Sequence, residues 1–66
     1  MKLKVNGEDR EFGSVATIND LVDQLGLDRT RIATELNKQL VRKADYAETA
    51  LKEGDTLEIV TLVGGG

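Results

Sequence analysis

Along the first twelve residues apolar and polar positions alternate. Leu3 and Val5 are set between Lys2 and Lys4, the period-two pattern of a strand with one buried face. Asn6-Gly7 follows, a pair that tolerates positive φ and suits a two-residue hairpin turn, so Glu8 to Phe12 reads as the returning strand and Gly13-Ser14 as its end. The period then changes. Ile18, Leu21, Val22 and Leu25 stand at i, i+3, i+4 and i+7, which lays one apolar stripe along a helix of about two to three turns. The helix ends are marked too. Thr17 is placed to accept from free backbone N–H groups, and Asp20 three positions on completes a weaker form of the capping box. Gly26 supplies the left-handed residue that stops the helix, with Leu27 folding back as its hydrophobic contact.

Beyond the polar link "DRTR", Ile32, Thr34 and Leu36 alternate with Ala33 and Glu35. Asn37-Lys38-Gln39 interrupts the run, and Leu40-Val41 forms a short return strand. The stretch "KADYAETAL" is too short and too weakly periodic for a full helix. It reads as a partly helical connection in which Tyr46, Ala50 and Leu51 pin a turn to the core. Lys52 to Asp55 is a glycine-centred turn. The last strand, "TLEIVTLV", puts Leu57, Ile59, Thr61 and Val63 on one face and Glu58, Val60 and Leu62 on the other. Leu21 and Ile59 are the expected anchors of the core.

The order is strand, strand, helix, strand, strand, connection, strand. One helix must then cover one face of a mixed sheet, and the last strand lies parallel beside the first, reached by a right-handed crossover. That is an α+β fold of the β-grasp, or ubiquitin-like, kind with four to five strands. The expected division is a β-grasp domain over residues 1–63 and a flexible glycine tail over residues 64–66.

Composition narrows the chemistry. A chain of 66 residues is expected to make one domain with one modest core. Domains of this size bury only about 60% of the surface their unfolded chains expose, so a deep substrate pocket would compete for the same few apolar side chains. The chain has neither Cys nor His, and so lacks a thiolate, a disulfide and the commonest neutral-pH base and metal ligand. The carboxylates of "GEDRE", "DQLGLD" and "KEGD" do not have the spacing of a calcium loop. These features predict a protein that is not an enzyme and holds no metal or cofactor. A net charge of −3 gives no general pull toward nucleic acid or anionic lipid. Arg42 and Lys43 beside Asp45 read as surface ion pairs, or as a basic pair that helps to dock an acidic partner. With no apolar run near the roughly 18 residues of a membrane span, and an amino end that turns polar early, a cytoplasmic protein is expected.

The one feature that asks for a chemical explanation is "VGGG", Val63 to Gly66. Three glycines fully extended reach about 10 to 11 Å and bring no side chain into a narrow channel. They would carry a carboxylate at the tip. A carboxylate is a poor electrophile until it is activated, most simply as an acyl-adenylate, and no phosphate-binding loop in this chain can do that. The activating site must belong to a partner. Ordering glycines costs on the order of 1 to 2 kcal/mol each, so the folded body has to supply the grip. Val60, Leu62 and Val63 are the candidate docking residues; the alternative for Val60 and Leu62 is that they pack beneath the Tyr46 connection. The alternative for the glycines is a frayed end.

"VNGEDREF", "ELNKQLVRKADYAETALKEGD" and above all "LEIVTLVGGG" closely resemble the ThiS family, the sulfur carriers of thiamin thiazole biosynthesis, over essentially the whole chain. One departure is visible: many members have proline after the valine of the second hairpin, where this chain has Arg42 and Lys43. The resemblance implies that a ThiF-like ATP-dependent adenylyltransferase adenylylates the Gly66 carboxylate, which is then converted to a thiocarboxylate. A sulfur donor protein would supply the sulfur and a ThiG-like thiazole synthase would receive it, while Gly64 and Gly65 let the end enter partner sites. Three other readings stay open: a molybdopterin-type carrier, a ubiquitin-like modifier of lysines, and an interaction module whose glycines are incidental.

Overall fold

The computed structural model describes residues 1–62. Two hairpins flank a common central strand. β1 (Lys2–Val5) pairs antiparallel with β2 (Glu8–Glu11), and β3 (Ile32–Leu36) pairs antiparallel with β4 (Gln39–Val41). β5 (Thr56–Thr61) lies between them, parallel to β1 and antiparallel to β3, so the five-stranded order is β2-β1-β5-β3-β4. This is the β-grasp arrangement expected from the element order.

Helix α1 (Ile18–Gln24) covers one face of that sheet. Its buried Ile18, Leu21 and Val22 join Leu3 and Val5 of β1, Ile32 of β3, and Leu57 and Ile59 of β5 in a single core. The helix begins as the residues predict. Thr17 Oγ1 accepts from the Asp20 N–H at 3.3 Å, and the Asp20 carboxylate accepts from the N–H groups of Ala16 and Thr17 at 2.9 and 3.1 Å. Those bonds, that from Ala16 foremost, hold the Asp20 carboxyl below the usual aspartate range. At the other end Gly26 takes φ +71° and the Leu27 N–H bonds the Val22 carbonyl, which turns Leu27 back onto the core.

The connection between β4 and β5 contains one 3₁₀ turn, Lys43–Asp45, after which Tyr46 drops into the core. Its hydroxyl donates to Thr34 Oγ1 at 3.0 Å, so two polar groups are buried at little cost because each satisfies the other. Leu51 is buried as expected, but Ala50 is exposed. Ala50 pairs with Thr17 in an isolated extended bridge. In extended backbone adjacent side chains point opposite ways, so Leu51 takes the inward position and Ala50 the outward one. Two smaller differences concern strand ends. Phe12 is buried just past the end of β2, and Thr61 is exposed beside an open depression with Arg10, Leu25 and Leu27, past the C-terminal end of α1.

The two hairpin turns do more than reverse the chain. Asn6-Gly7 and Asn37-Lys38 all take positive φ, 51° and 84° in the first turn and 51° and 72° in the second, the geometry of a type I′ turn. Each asparagine then reaches across to β5. Asn6 Oδ1 accepts from the Ile59 N–H at 2.8 Å while its Nδ2 donates to the Ile59 carbonyl at 3.1 Å. Asn37 Oδ1 accepts from the Thr56 N–H at 3.0 Å, its Nδ2 donates to Asp55 Oδ1 at 3.1 Å, and its own N–H bonds the Thr56 carbonyl at 2.7 Å. The side-chain amides thereby stand in for peptide groups and grip β5 at its start and near its end.

Candidate functional site

The side chains of β5 alternate between two environments. Leu57 and Ile59 lie in the core, while Glu58 and Val60 point from the face that α1 does not cover. Leu62, just past the strand, is exposed as well. The exposed large apolar residues among those described are Leu40 (69%), Val60 (56%) and Leu62 (46%). Tyr46 bonds Thr34 on the opposite, buried face, so Val60 and Leu62 do not pack beneath the Tyr46 connection. That alternative is excluded.

Register assembles Leu40 and Val60 into a patch. Ala33 is the direct cross-strand partner of Val60, Glu35 of Glu58, and Leu40 of Glu35. Together the five line a shallow depression of about 300 Å³ on the uncovered face. Val60 and Leu62 were visible in the sequence as candidates. Ala33, Glu35 and Leu40 were not, although the alternation of β3 already set Ala33 and Glu35 on the face away from Ile32 and Thr34. The missing information was which residues of β3 lie opposite which residues of β5.

The platform is fixed up to the last residue described. Asn6 holds Ile59, and the Leu62 N–H donates to the Arg31 carbonyl at 2.7 Å. Val63, Gly64, Gly65 and Gly66 lie outside the described residues, and in the sequence they follow Leu62 directly. Among the described residues no group of three or more His, Cys, Asp or Glu could hold a metal ion. The perturbed carboxyls lie away from the patch: hydrogen bonds from Thr30 lower Asp28, and the amino-terminal ammonium lowers Glu11. Among the described residues no helix is long and apolar enough to cross a membrane. Arg42 and Asp45 form the expected exposed ion pair at 3.3 Å.

Comparison with known proteins places this geometry. The ThiS family model matches residues 3–66. The chain is 37% identical over 65 residues to the sulfur carrier protein ThiS of Bacillus subtilis, covering 97% of this chain and 98% of that one. It is also 46% identical over all 66 residues to a thiazole synthase of Paramagnetospirillum magneticum, and spans about a fifth of that protein's length. In structure it resembles crystalline ThiS, a thiamine biosynthesis protein of Geobacter metallireducens, with a TM-score of 0.85, 26% identity and full coverage of both chains. The family model runs from β1 through the glycines, the fold agrees over the described residues, and the chain belongs to the ThiS family of sulfur carrier proteins.

Proposed function

We propose that this chain is a sulfur carrier for thiazole formation in thiamin biosynthesis, acting in the cytoplasm and catalysing nothing itself. The Gly66 carboxylate is its reactive group. A carboxylate oxygen attacks the α-phosphate of ATP in the site of a ThiF-like adenylyltransferase, and pyrophosphate leaves. Hydrosulfide supplied by a donor protein then attacks the acyl carbon and displaces AMP, which leaves the thiocarboxylate. Residues 64–66 serve as the tail, with Gly64 and Gly65 providing an arm that no side chain widens, and residues 1–63 as the body. Val60, Leu62 and Val63 belong to the docking surface, where the body supplies the binding energy that the arm lacks. The absence of cysteine fits this chemistry, because no internal thiolate is present to attack the activated acyl group.

The observation that carries the reading is the family match continuing through Gly66, behind a strand whose outer face presents Val60 to solvent. Similarity to a segment of proteins called thiazole synthase supports a ThiG-like recipient. Intact mass spectrometry after incubation with the adenylyltransferase, ATP and a sulfur donor tests it. The expected result is the mass increase of an oxygen-to-sulfur exchange localised to the peptide ending in Gly66. An unchanged terminus, under conditions that charge the Bacillus subtilis carrier, overturns it. Complementation of thiamin auxotrophs, set against molybdenum-cofactor auxotrophs, separates this pathway from the molybdopterin one.

A further inference from the structure

The first hairpin turn joins an asparagine to a glycine, a pair with chemistry of its own. The backbone nitrogen of the second residue can attack the side-chain amide carbon of the first, and glycine leaves that approach open because it has no Cβ. Asn6 and Gly7 are both exposed, and nothing lies within 4 Å of the place a Cβ on Gly7 would take. Among the described residues the Gly7 N–H donates to no backbone carbonyl. What restrains the reaction is the Asn6 amide itself, whose Oδ1 and Nδ2 are bonded to the Ile59 peptide groups at 2.8 and 3.1 Å. Turning the amide carbon toward Gly7 breaks both bonds. The paired residues of β1 and β5 end at Val5 and Leu57, so beyond them this amide ties the first hairpin to β5, and the opening required is local. Asn37 provides an internal comparison: it shares the positive φ and bonds Thr56 and Asp55, but Lys38 follows it and its side chain crowds the attacking nitrogen.

We infer that Asn6 is a deamidation site locked by its own clasp, converted in molecules whose β5 has come away from the first hairpin at Ile59. The Gly7 nitrogen forms a bond to Asn6 Cγ, the Cγ–Nδ2 bond breaks, and ammonia leaves with the Gly7 amide proton, which closes a five-membered imide. Water then opens the ring at Cγ to give aspartate, or at the main-chain carbonyl carbon of Asn6 to give isoaspartate. The balance is water in and ammonia out. Asn6 lines the open depression beyond the end of α1, which gives water its access. Reclosing does not reverse the change. An aspartate at this position turns a second acceptor toward the Ile59 carbonyl, where Nδ2 donated. Isoaspartate lengthens the backbone of a two-residue type I′ turn that has no room for another carbon. Opening at Ile59 thus leaves a lasting mark, and the marked chain holds β5 less well.

The test ages the full chain at mildly alkaline pH in buffer, in urea below the unfolding transition and in urea above it, and scores Asn6 and Asn37 by mass-spectrometric peptide mapping. Above the transition Asn6 should convert at least about fivefold faster than Asn37, and folding should slow Asn6 by about fivefold or more. Below the transition its rate should rise in step with hydrogen exchange at the Ile59 N–H, which the clasp protects. Asn6→Asp, which installs the aspartate product directly, should unfold at a lower urea midpoint than the parent and exchange its Ile59 N–H faster. Smaller rate ratios, a conversion rate that does not follow Ile59 exchange, or an Asn6→Asp chain as stable as the parent overturns the inference.

Discussion

The inner and outer faces of β5 are made by alternate residues of one strand, yet they obey different rules. Leu57 and Ile59 are held among Leu3, Ile18, Leu21 and Ile32, where any lost methylene leaves a cavity in a close-packed interior. Glu58 and Val60 are exposed and have no packing partner above them among the described residues. The inner row explains why the chain folds. The outer row is arranged against folding preference, with an exposed branched side chain beside two facing carboxylates. The period of two in a strand lets one short segment meet both demands without compromise.

Truncation should separate the faces most sharply. Leu57→Ala, with Leu21→Ala and Ile59→Ala as companions, is expected to cost about 2 to 5 kcal/mol in urea denaturation, enough to unfold a domain of this size. A midpoint unmoved by all three would break the contrast. Tyr46→Phe sharpens it at the inner face, since it keeps the ring and deprives the buried Thr34 hydroxyl of its partner. The expected loss is about 1 to 3 kcal/mol, and Tyr46→Phe combined with Thr34→Val should recover much of it.

Acid titration probes the helix that creates the inner face. The Asp20 carboxyl lies lower in the folded chain than in the unfolded one, so its capping bonds contribute fully above the unfolded value and are lost as pH falls through the folded value. Asp20→Asn should therefore be less stable than the parent near neutrality, and the gap should close in the acid range. A gap independent of pH would rule this out. The smallest effect belongs to the outer face: Val60→Ser should change stability by no more than about 0.5 kcal/mol while weakening capture by the adenylyltransferase.

Much of this architecture is written in short-range patterns. The Thr17–Asp20 cap, the Gly26 stop and the two asparagine turns each depend on neighbours within a few residues, and each is found where its residues stand. What could not be read depends on partners distant in sequence. Nothing near Asn6 indicates that its amide will occupy Ile59, and nothing near Glu35 indicates Glu58 opposite. Ala50 was misplaced for a related reason, because its extended bridge to Thr17 sets the side-chain direction. The candidate patch was legible as Val60 on β5 and Leu62 just past it, and pairing with β3 and β4 joined Ala33, Glu35 and Leu40 to Val60.

The clasp that Asn6 and Asn37 place on β5 has a mechanical consequence. Traction on Leu62 runs along the strand axis, so the ladders to β1 and β3 and both amide clasps bear the load in shear, together, instead of opening rung by rung from one end. Under the proposed carrier role, a pull by a partner enzyme beyond Leu62 is thus spread across the middle of the sheet.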